Sequence, residues 1–416
     1  MLVGAFASLA HTAAAGGAAF EAWKLEFHKS YATAQREAAA AAAYSANDAR
    51  IVEHNRGISS YTLGHNAFSD MTSEEFRLAH VGGYDGAARS EQRSYDMTLL
   101  SESASLRAVN ASLDWVARGA VTPIKNQELC GSCWAFSTVG SVEGAFAIAG
   151  HPLVALSMQQ LVSCDHPQND GCNGGLMADA FKWIETNPLC TYDDYPYGSG
   201  TGVSGACSTA CTGVVSITGF TDVPGENGML AAISKGPVSV AIEANEDVFH
   251  LYKSGVIDDA SCGKNLDHGV LAVGFGNDPT TGLAYYKVKN SWGSTWGESG
   301  YVRLVRGKDQ CGVADSASFP TGVTNSTPAA PTPAPGPPPV VYAVAALPSG
   351  SMANDEFAVQ GDVSSALNGA VICLNGGQYT ITKALAVSGM TTCYLYEATV
   401  RQIAAVGTTF IVGDCP

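Results

Sequence analysis

Two cysteines stand three positions apart in CGSCWAFS, Cys130 to Ser137, and three chemistries use such a pair. A dithiol redox site places C-x-x-C at a helix N-terminus inside a βαβ unit. The residues before Cys130, DWVARGAVTPIKNQEL, read as loop and offer no such strand. A zinc site needs a second ligand pair at metal spacing. Cys164 with Cys172 and Cys207 with Cys211 are spaced too irregularly for one, with only Asp165 and His166 nearby to supplement them. The third chemistry makes Cys133 a nucleophile. A thiol at a helix N-terminus feels partial positive charge that lowers its pKa, and a neighbouring imidazole can hold it as thiolate. That requires a His and an orienting amide further along the chain. His268 in NLDHGVLAVGFG and Asn290 in VKNSWGSTWGESGY supply both, on or beside strand-like runs.

Several elements must position these groups. Residues 133–149 carry apolar side chains at Phe136, Val139, Val142 and Phe146, the rhythm of a buried helix, with Gly150 where the helix would stop. A second helix is expected over 175–185. Strands are expected over 237–242, 268–276, 285–292 and 301–306. Helices first and strands second argue for an α+β fold of two packed lobes. Upstream, residues 20–56 are rich in Ala, Glu and Arg without Pro and read as one long helix. GHNAFSD follows, then MTSEEF, in which Thr72 or Ser73 ahead of Glu75 marks a helix start. Residues 82–106 read as an exposed, cuttable connection. TNSTPAAPTPAPGPPP, within a linker spanning 323–339, is Pro-rich and extended. Residues 340–416 alternate apolar and polar in AVICL, QYTIT and TTFIV, the pattern of a small β-rich module.

Composition sets the surroundings. The chain has 416 residues and a formal charge of −16, with no basic stripe, which argues against a nucleic-acid partner. No apolar run reaches the roughly 18–20 residues of a membrane span. Twelve cysteines, most of them from Cys130 to Cys311, suit an oxidising lumen. Residues 1–19 read as a weak or truncated signal peptide, apolar and small but without a leading basic residue. Asn110 and Asn325 begin N-x-S/T triplets and are candidate glycosylation sites.

The motifs QELCGSCWAFS, GCNGGLM, LDHGV and KNSWGSTWGESGY, in that order, make residues 109–322 resemble a papain-family cysteine peptidase of the cathepsin L-like branch. Residues 20–108 resemble that family's inhibitory propeptide: GHNAFSD fits its G-x-N-x-F-x-D signature, and Asn47, Ile51 and Asn55 fit the end of its long-helix signature. Tyr44 and Ala40 depart from the usual Phe and Arg. The resemblance implies a two-lobe fold, a helical left lobe and a β-barrel-like right lobe, made as a zymogen.

By the same resemblance Cys133 attacks the scissile carbonyl, His268 shuttles the proton, Asn290 orients the ring, and Gln127 donates to the oxyanion. Trp292 covers the His268–Asn290 contact. Gly174 and Gly175 bind the substrate backbone, and Leu176, Met177, Ala241, Leu266, Asp267, Gly269 and Ser316 surround the pocket for the second acyl-side residue. That lining predicts Leu or Phe rather than Arg, with Asp315 close by. The implied disulfides are Cys130–Cys172, Cys164–Cys207 and Cys262–Cys311, with Cys190 and Cys211 left to pair together. An exchange of Cys207 and Cys211 stays open, since sequence does not fix connectivity. Cys373, Cys393 and Cys415 form an odd set. No occluding-loop insertion is visible, which favours an endopeptidase.

Expected partners are peptide and protein substrates and the chain's own propeptide, with no cofactor or metal, in a monomer. The expected location is a lysosome-like or vacuolar compartment, or secretion. Acid is expected to loosen the propeptide by protonating its paired carboxylates, with self-cleavage between 82 and 109. A peptide-binding relative without catalysis and a disulfide oxidoreductase are the competing readings. His11, His65, His151, His166 and His250 read as ordinary surface or core residues.

Overall fold

A computed structural model describes residues 17–84, 93–108 and 112–326, with seven strands between 341 and 412. The chain divides into two units, residues 1–327 and 328–416. In the first, helix α1 (17–26) precedes α2 (Ala34–Arg56), strand β1 (Tyr61–Leu63), α3 (Ser73–His80) and α4 (Thr98–Ala108).

The single helix expected over 20–56 is therefore two helices. Thr33 caps α2 by accepting the Arg36 N–H (3.1 Å), and in the break Lys29 and Tyr31 reach Asp70 at 3.1 and 2.8 Å. Doubling back lets Phe20 and Trp23 pack on Tyr44, each with ring centroids 5.5 Å apart. The expected helix start at Thr72 is a full capping box, Thr72 and Glu75 bonding each other's backbone.

Among the described residues of 82–106, part of the expected exposed connection is packed instead. Gly82 to Tyr84 lie against the domain that follows, and α4 buries Leu99 and Ser103, whose hydroxyl accepts the Ala231 N–H at 2.9 Å. Residues 85–92 and 109–111, which include Asn110, lie outside the described residues.

From residue 112 come β2 (Leu113–Asp114), α5 (Cys133–Ile148), α6 (Met158–Cys164), α7 (Met177–Thr186), β3 (Val215–Ser216), β4 (Gly219–Asp222) and α8 (Met229–Lys235). Then follow β5 (Val238–Ile242), α9 (Asp247–His250), β6 (Tyr252–Ile257), β7 (His268–Asn277), β8 (Ala284–Lys289), β9 (Tyr301–Val305), β10 (Ala317–Thr321) and β11 (Thr324–Asn325). The sheet runs β1-β6-β9-β8-β7-β5-β10-β4, with β2 also on β7 and β3 paired with β11 apart. The unbroken apolar run of β7 fits its central place, buried along almost its whole length.

One apolar core gathers around this sheet, and a second around α5, α6 and α7. Helix α5 lies between them. It approaches the sheet closely because Gly140 and Gly144 face it: a Cβ at Gly144 would sit 2.5 Å from the Pro237 ring and 3.0 Å from the Ala120 carbonyl. The arrangement is the expected α+β, two-core architecture preceded by helices.

The second unit holds β12 (Val341–Ala345), β13 (Phe357–Gln360), β14 (Val371–Leu374), β15 (Gly377–Thr380), β16 (Lys383–Ala386), β17 (Thr392–Tyr396) and β18 (Thr409–Val412). They form an antiparallel sheet in the order β15-β14-β18-β12-β13-β17-β16. Cys373 and Cys393 lie on β14 and β17; Cys415, most of the 323–339 linker and residues 1–16 lie outside the described residues.

Candidate active site

Cys133 is the first residue of α5, and Ser132 before it makes no side-chain cap; the Cys133 and Trp134 N–H groups favour the thiolate, while those of Ala135 and Phe136 go to the Ser132 carbonyl. The four disulfides in the described unit are Cys130–Cys172, Cys164–Cys207, Cys190–Cys211 and Cys262–Cys311. Cys133 is the one free cysteine among the described residues, and it is buried. The thiols weighed as zinc ligands are therefore consumed, and so is Cys130, which leaves Cys133 without a redox partner.

His268 opens β7, and Asn290 directly follows β8, its neighbour in the sheet. The His268 Nε2–H donates to Asn290 Oδ1 at 2.8 Å. The same oxygen accepts the Ser291 N–H at 2.8 Å, which fixes the amide's orientation. His268 Nδ1 is then the ring nitrogen left buried without a protein partner. Trp292 stacks on the imidazole with centroids 4.6 Å apart. Gln127 is fully buried: its Oε1 accepts the Ser291 hydroxyl (2.6 Å) and its Nε2 donates to the Cys130 carbonyl (3.1 Å). Ser291, which sequence reasoning passed over, thereby decides which way the Gln127 amide points.

The electrostatics are those of a closed site. Burial pushes the Cys133 thiol up to about 12, although the N–H groups of Gly269, Trp134 and Cys133 itself favour the thiolate. Burial likewise pulls His268 down to about 4, against the support of Asn290. Both shifts favour thiol and neutral imidazole over an ion pair. Burial wins because the upstream segment covers them.

That cover is specific. The Gly82 N–H donates to the Asp267 carbonyl (2.9 Å), the Gly83 carbonyl accepts the Gly175 N–H (3.1 Å), and the Tyr84 hydroxyl meets Ser316 Oγ at 2.6 Å. A Cβ at Gly83 would stand 2.9 Å from Cys133 Sγ, so only a glycine passes there. Tyr84 shares a buried apolar cluster with Leu176, Met177 and Ala241, with Leu266 packed on it. Gly269 borders both, its missing Cβ 3.2 Å from Met177 Sδ and from the Cys133 carbonyl. Gly174 takes φ 124°, and a Cβ on it would lie 3.4 Å from the Gly83 carbonyl.

Of the expected site residues, Gly174, Gly175, Leu176, Met177, Ala241, Leu266, Asp267 and Ser316 thus lie about Gly82 to Tyr84, and Gly269 lies beside Cys133 and Met177. The Asp267 carboxyl accepts the Ala244 N–H (2.7 Å) and is raised to about 7 by burial. Two occupants of the cleft, Gly83 and Tyr84, were not anticipated.

The rest of the upstream segment is tied down by the expected signature. Asn66 Nδ2 donates to the His250 carbonyl (2.7 Å), while its Oδ1 accepts the Phe68 N–H (2.8 Å). Asn55 brackets Leu63 with both amide atoms, and Asn47 bonds the Ser69 and Met71 carbonyls. Strand β1 adds to the sheet edge at β6, so main-chain hydrogen bonds join the segment to the domain it covers.

Residues 109–321 match the family profile described as papain family cysteine protease, and residues 20–76 match the cathepsin propeptide inhibitor domain. A thiol protease of Hemerocallis sp. is 46% identical over 269 residues, 62% of this chain and 73% of that one. A KDEL-tailed cysteine endopeptidase of Arabidopsis thaliana is 44% identical over 291 residues, 66% of this chain and 77% of that one. Among solved structures, a recombinant stem bromelain precursor superposes with a TM-score of 0.66 at 38% identity, covering 74% of this chain and 99% of its own. Digestive procathepsin L 3 from the Tenebrio molitor larval midgut gives 0.64 at 36% identity, with the same coverage.

Proposed function

Since this chain belongs to the papain family of cysteine proteases and carries a cathepsin propeptide inhibitor domain, we propose that it hydrolyses peptide bonds through Cys133, His268 and Asn290 once that propeptide is removed. The observation that carries this reading is the His268 to Asn290 hydrogen bond beneath Trp292, beside the only unpaired thiol of the described residues.

With the cleft opened to water, the desolvation that now holds both groups neutral is relieved, and the helix N-terminus favours the thiolate. The Cys133 thiolate attacks the scissile carbonyl carbon, and the carbonyl electron pair moves onto oxygen. The Gln127 amide and the Cys133 N–H donate to that oxyanion. His268, as imidazolium, gives its Nδ1 proton to the departing amine as the C–N bond breaks. It then takes a proton from water, whose oxygen attacks the thioester and returns the sulfur as thiolate. Asn290 holds the ring so that Nδ1 faces these partners.

Gly175 would bind substrate backbone through the N–H it now gives to Gly83, and Gly174 gives the backbone close access. Leu176, Met177, Ala241, Leu266, Gly269 and Ser316 would form the apolar pocket for the second acyl-side residue, which accepts Leu, Phe or Tyr. The Asp267 carbonyl would take the next substrate N–H. Residues 20–108 act as the inhibitor, 109–322 as the peptidase, and acid starts the self-cleavage between them. Asn110 and Asn325 would be glycosylated in a vacuolar, lysosome-like or secretory lumen, and the enzyme works as a monomer.

The test is reaction of the acidified, reduced chain with an epoxide thiol-peptidase inhibitor, followed by peptide mass spectrometry. Labelling at Cys133, with hydrolysis lost at equal stoichiometry, is expected. An unlabelled Cys133 in a folded, propeptide-free chain overturns the proposal.

A further inference from the structure

Two buried imidazoles lie against Phe76 at the contact between the propeptide and the peptidase, one from each of them. His80 is the last residue of α3, and its ring nitrogen Nδ1 lies 3.1 Å from the Glu128 carbonyl of the peptidase. His250 ends α9 of the peptidase, and its Nε2 lies 2.8 Å from the Phe68 carbonyl of the propeptide. Since a carbonyl only accepts, each ring donates one N–H across the boundary. Their exposures are 7% and 1%.

Between and around them are aromatic rings. His250 stacks on Phe76 at 4.4 Å, and His80 lies 4.5 Å from Phe68 and 5.5 Å from Phe76. Phe68 and Phe76 both meet Trp292 edge-on, and Trp292 lies on His268.

We propose that His80 and His250 form an acid-sensitive latch: protonation of either ring breaks the aromatic contact that holds the propeptide over the catalytic residues. The inference rests on reading residues 20–108 as inhibitor of this peptidase. An added proton on His250 Nδ1 finds no acceptor, because that atom is buried and unpartnered. The carboxylates facing the pair, Asp70 and Asp247, favour its charge less than burial opposes it. Asp70 is held by Lys29 and Tyr31 and Asp247 by Arg50, and Lys29 and Arg50 themselves oppose a cation on His80 and His250. Each ring, once charged, also repels the other.

Burial lowers the affinity of both rings for protons, His80 to about 4. The released propeptide therefore binds protons that the docked one does not. Docking is undisturbed above the ordinary histidine value of 6.5 and weakens as pH falls from there toward about 4. For His80 alone the loss is roughly tenfold per pH unit.

The experiment uses the full chain with Cys133→Ser, which cannot cut itself, and reads hydrogen exchange of the Tyr61–Leu63 amides against pH. It is repeated with His80→Asn and His250→Gln, substitutions that keep an uncharged N–H near the donating positions. Opening is expected on acidification with the histidines present, and its midpoint should fall by about one pH unit or more in the double variant. Superimposable pH profiles would overturn the latch. If the double variant does not fold, His80→Asn alone must shift the midpoint in the same direction. This readout needs no catalysis, so the failure of the peptidase reading would show separately, as a chain that opens with acid yet cuts nothing.

Discussion

Gly83→Ala should turn a silent zymogen into a leaky one. The added methyl would sit 2.5 Å from the Gly131 carbonyl oxygen, 2.7 Å from its carbon and 2.9 Å from Cys133 Sγ. None of these atoms can retreat cheaply: Gly131 is flanked by the Cys130–Cys172 disulfide and donates its N–H to the Cys172 carbonyl, and Cys133 begins α5. Overpacking of this kind costs about 1–3 kcal/mol. Since the peptidase itself is unchanged, the cost falls on the docked propeptide, raising the open fraction by roughly 5- to 150-fold. The assay is the rate of epoxide labelling of Cys133 in uncut chain at neutral pH. A control is Gly198→Ala, where a methyl meets nothing within 4 Å. Labelling of folded Gly83→Ala no faster than of the control would refute the argument that the segment is held by a backbone-tight fit.

Ser316→Ala removes the hydroxyl that meets Tyr84 in the apolar pocket, so preference for Tyr over Phe at the second acyl-side position should fall by about 2- to 10-fold in kcat/KM, with Leu substrates unaffected. Asn290→Ala releases the ring of His268 and should lower kcat by about ten- to a hundredfold with little change in KM, read from initial rates. Asp165 is buried with Oδ1 unpartnered, and burial raises it to about 7 from 3.8. A folded state that binds the extra proton loses stability as pH rises from about 4 to about 7, so Asp165→Asn should add about 2–4 kcal/mol at pH near 7.5 and nothing near pH 4. Thermal midpoints of the Cys133→Ser chain at the two pH values check the sign.

Much of this arrangement is written locally in the sequence. Helix α5 follows from its apolar rhythm, β7 from an unbroken apolar run, and α3 from Thr72 and Glu75 at capping distance. The candidate nucleophile, base and orienting amide came from residue type and motif. What was not legible depends on distant partners. The break between α1 and α2 lies in helix-forming composition and is set by Lys29 and Tyr31 reaching forward to Asp70. Helix α4 has no marked apolar face; it is fixed by Leu99 and Ser103 against the peptidase, including a bond to Ala231. Strand β1 finds its partner β6 almost two hundred residues on. His80 and His250 have no spacing that marks them; only the fold brings both against Phe76.

The central claim is that Cys133 is a working nucleophile silenced by Gly82 to Tyr84. It is tested most directly by following hydrolysis of a Leu-containing peptide by the full chain before and after acid exposure, beside Cys133→Ser. The account predicts no cutting beforehand, cutting that appears as the propeptide is lost, and none at any stage in the variant. Hydrolysis that survives in Cys133→Ser, or its absence from a folded chain freed of its propeptide, would contradict it.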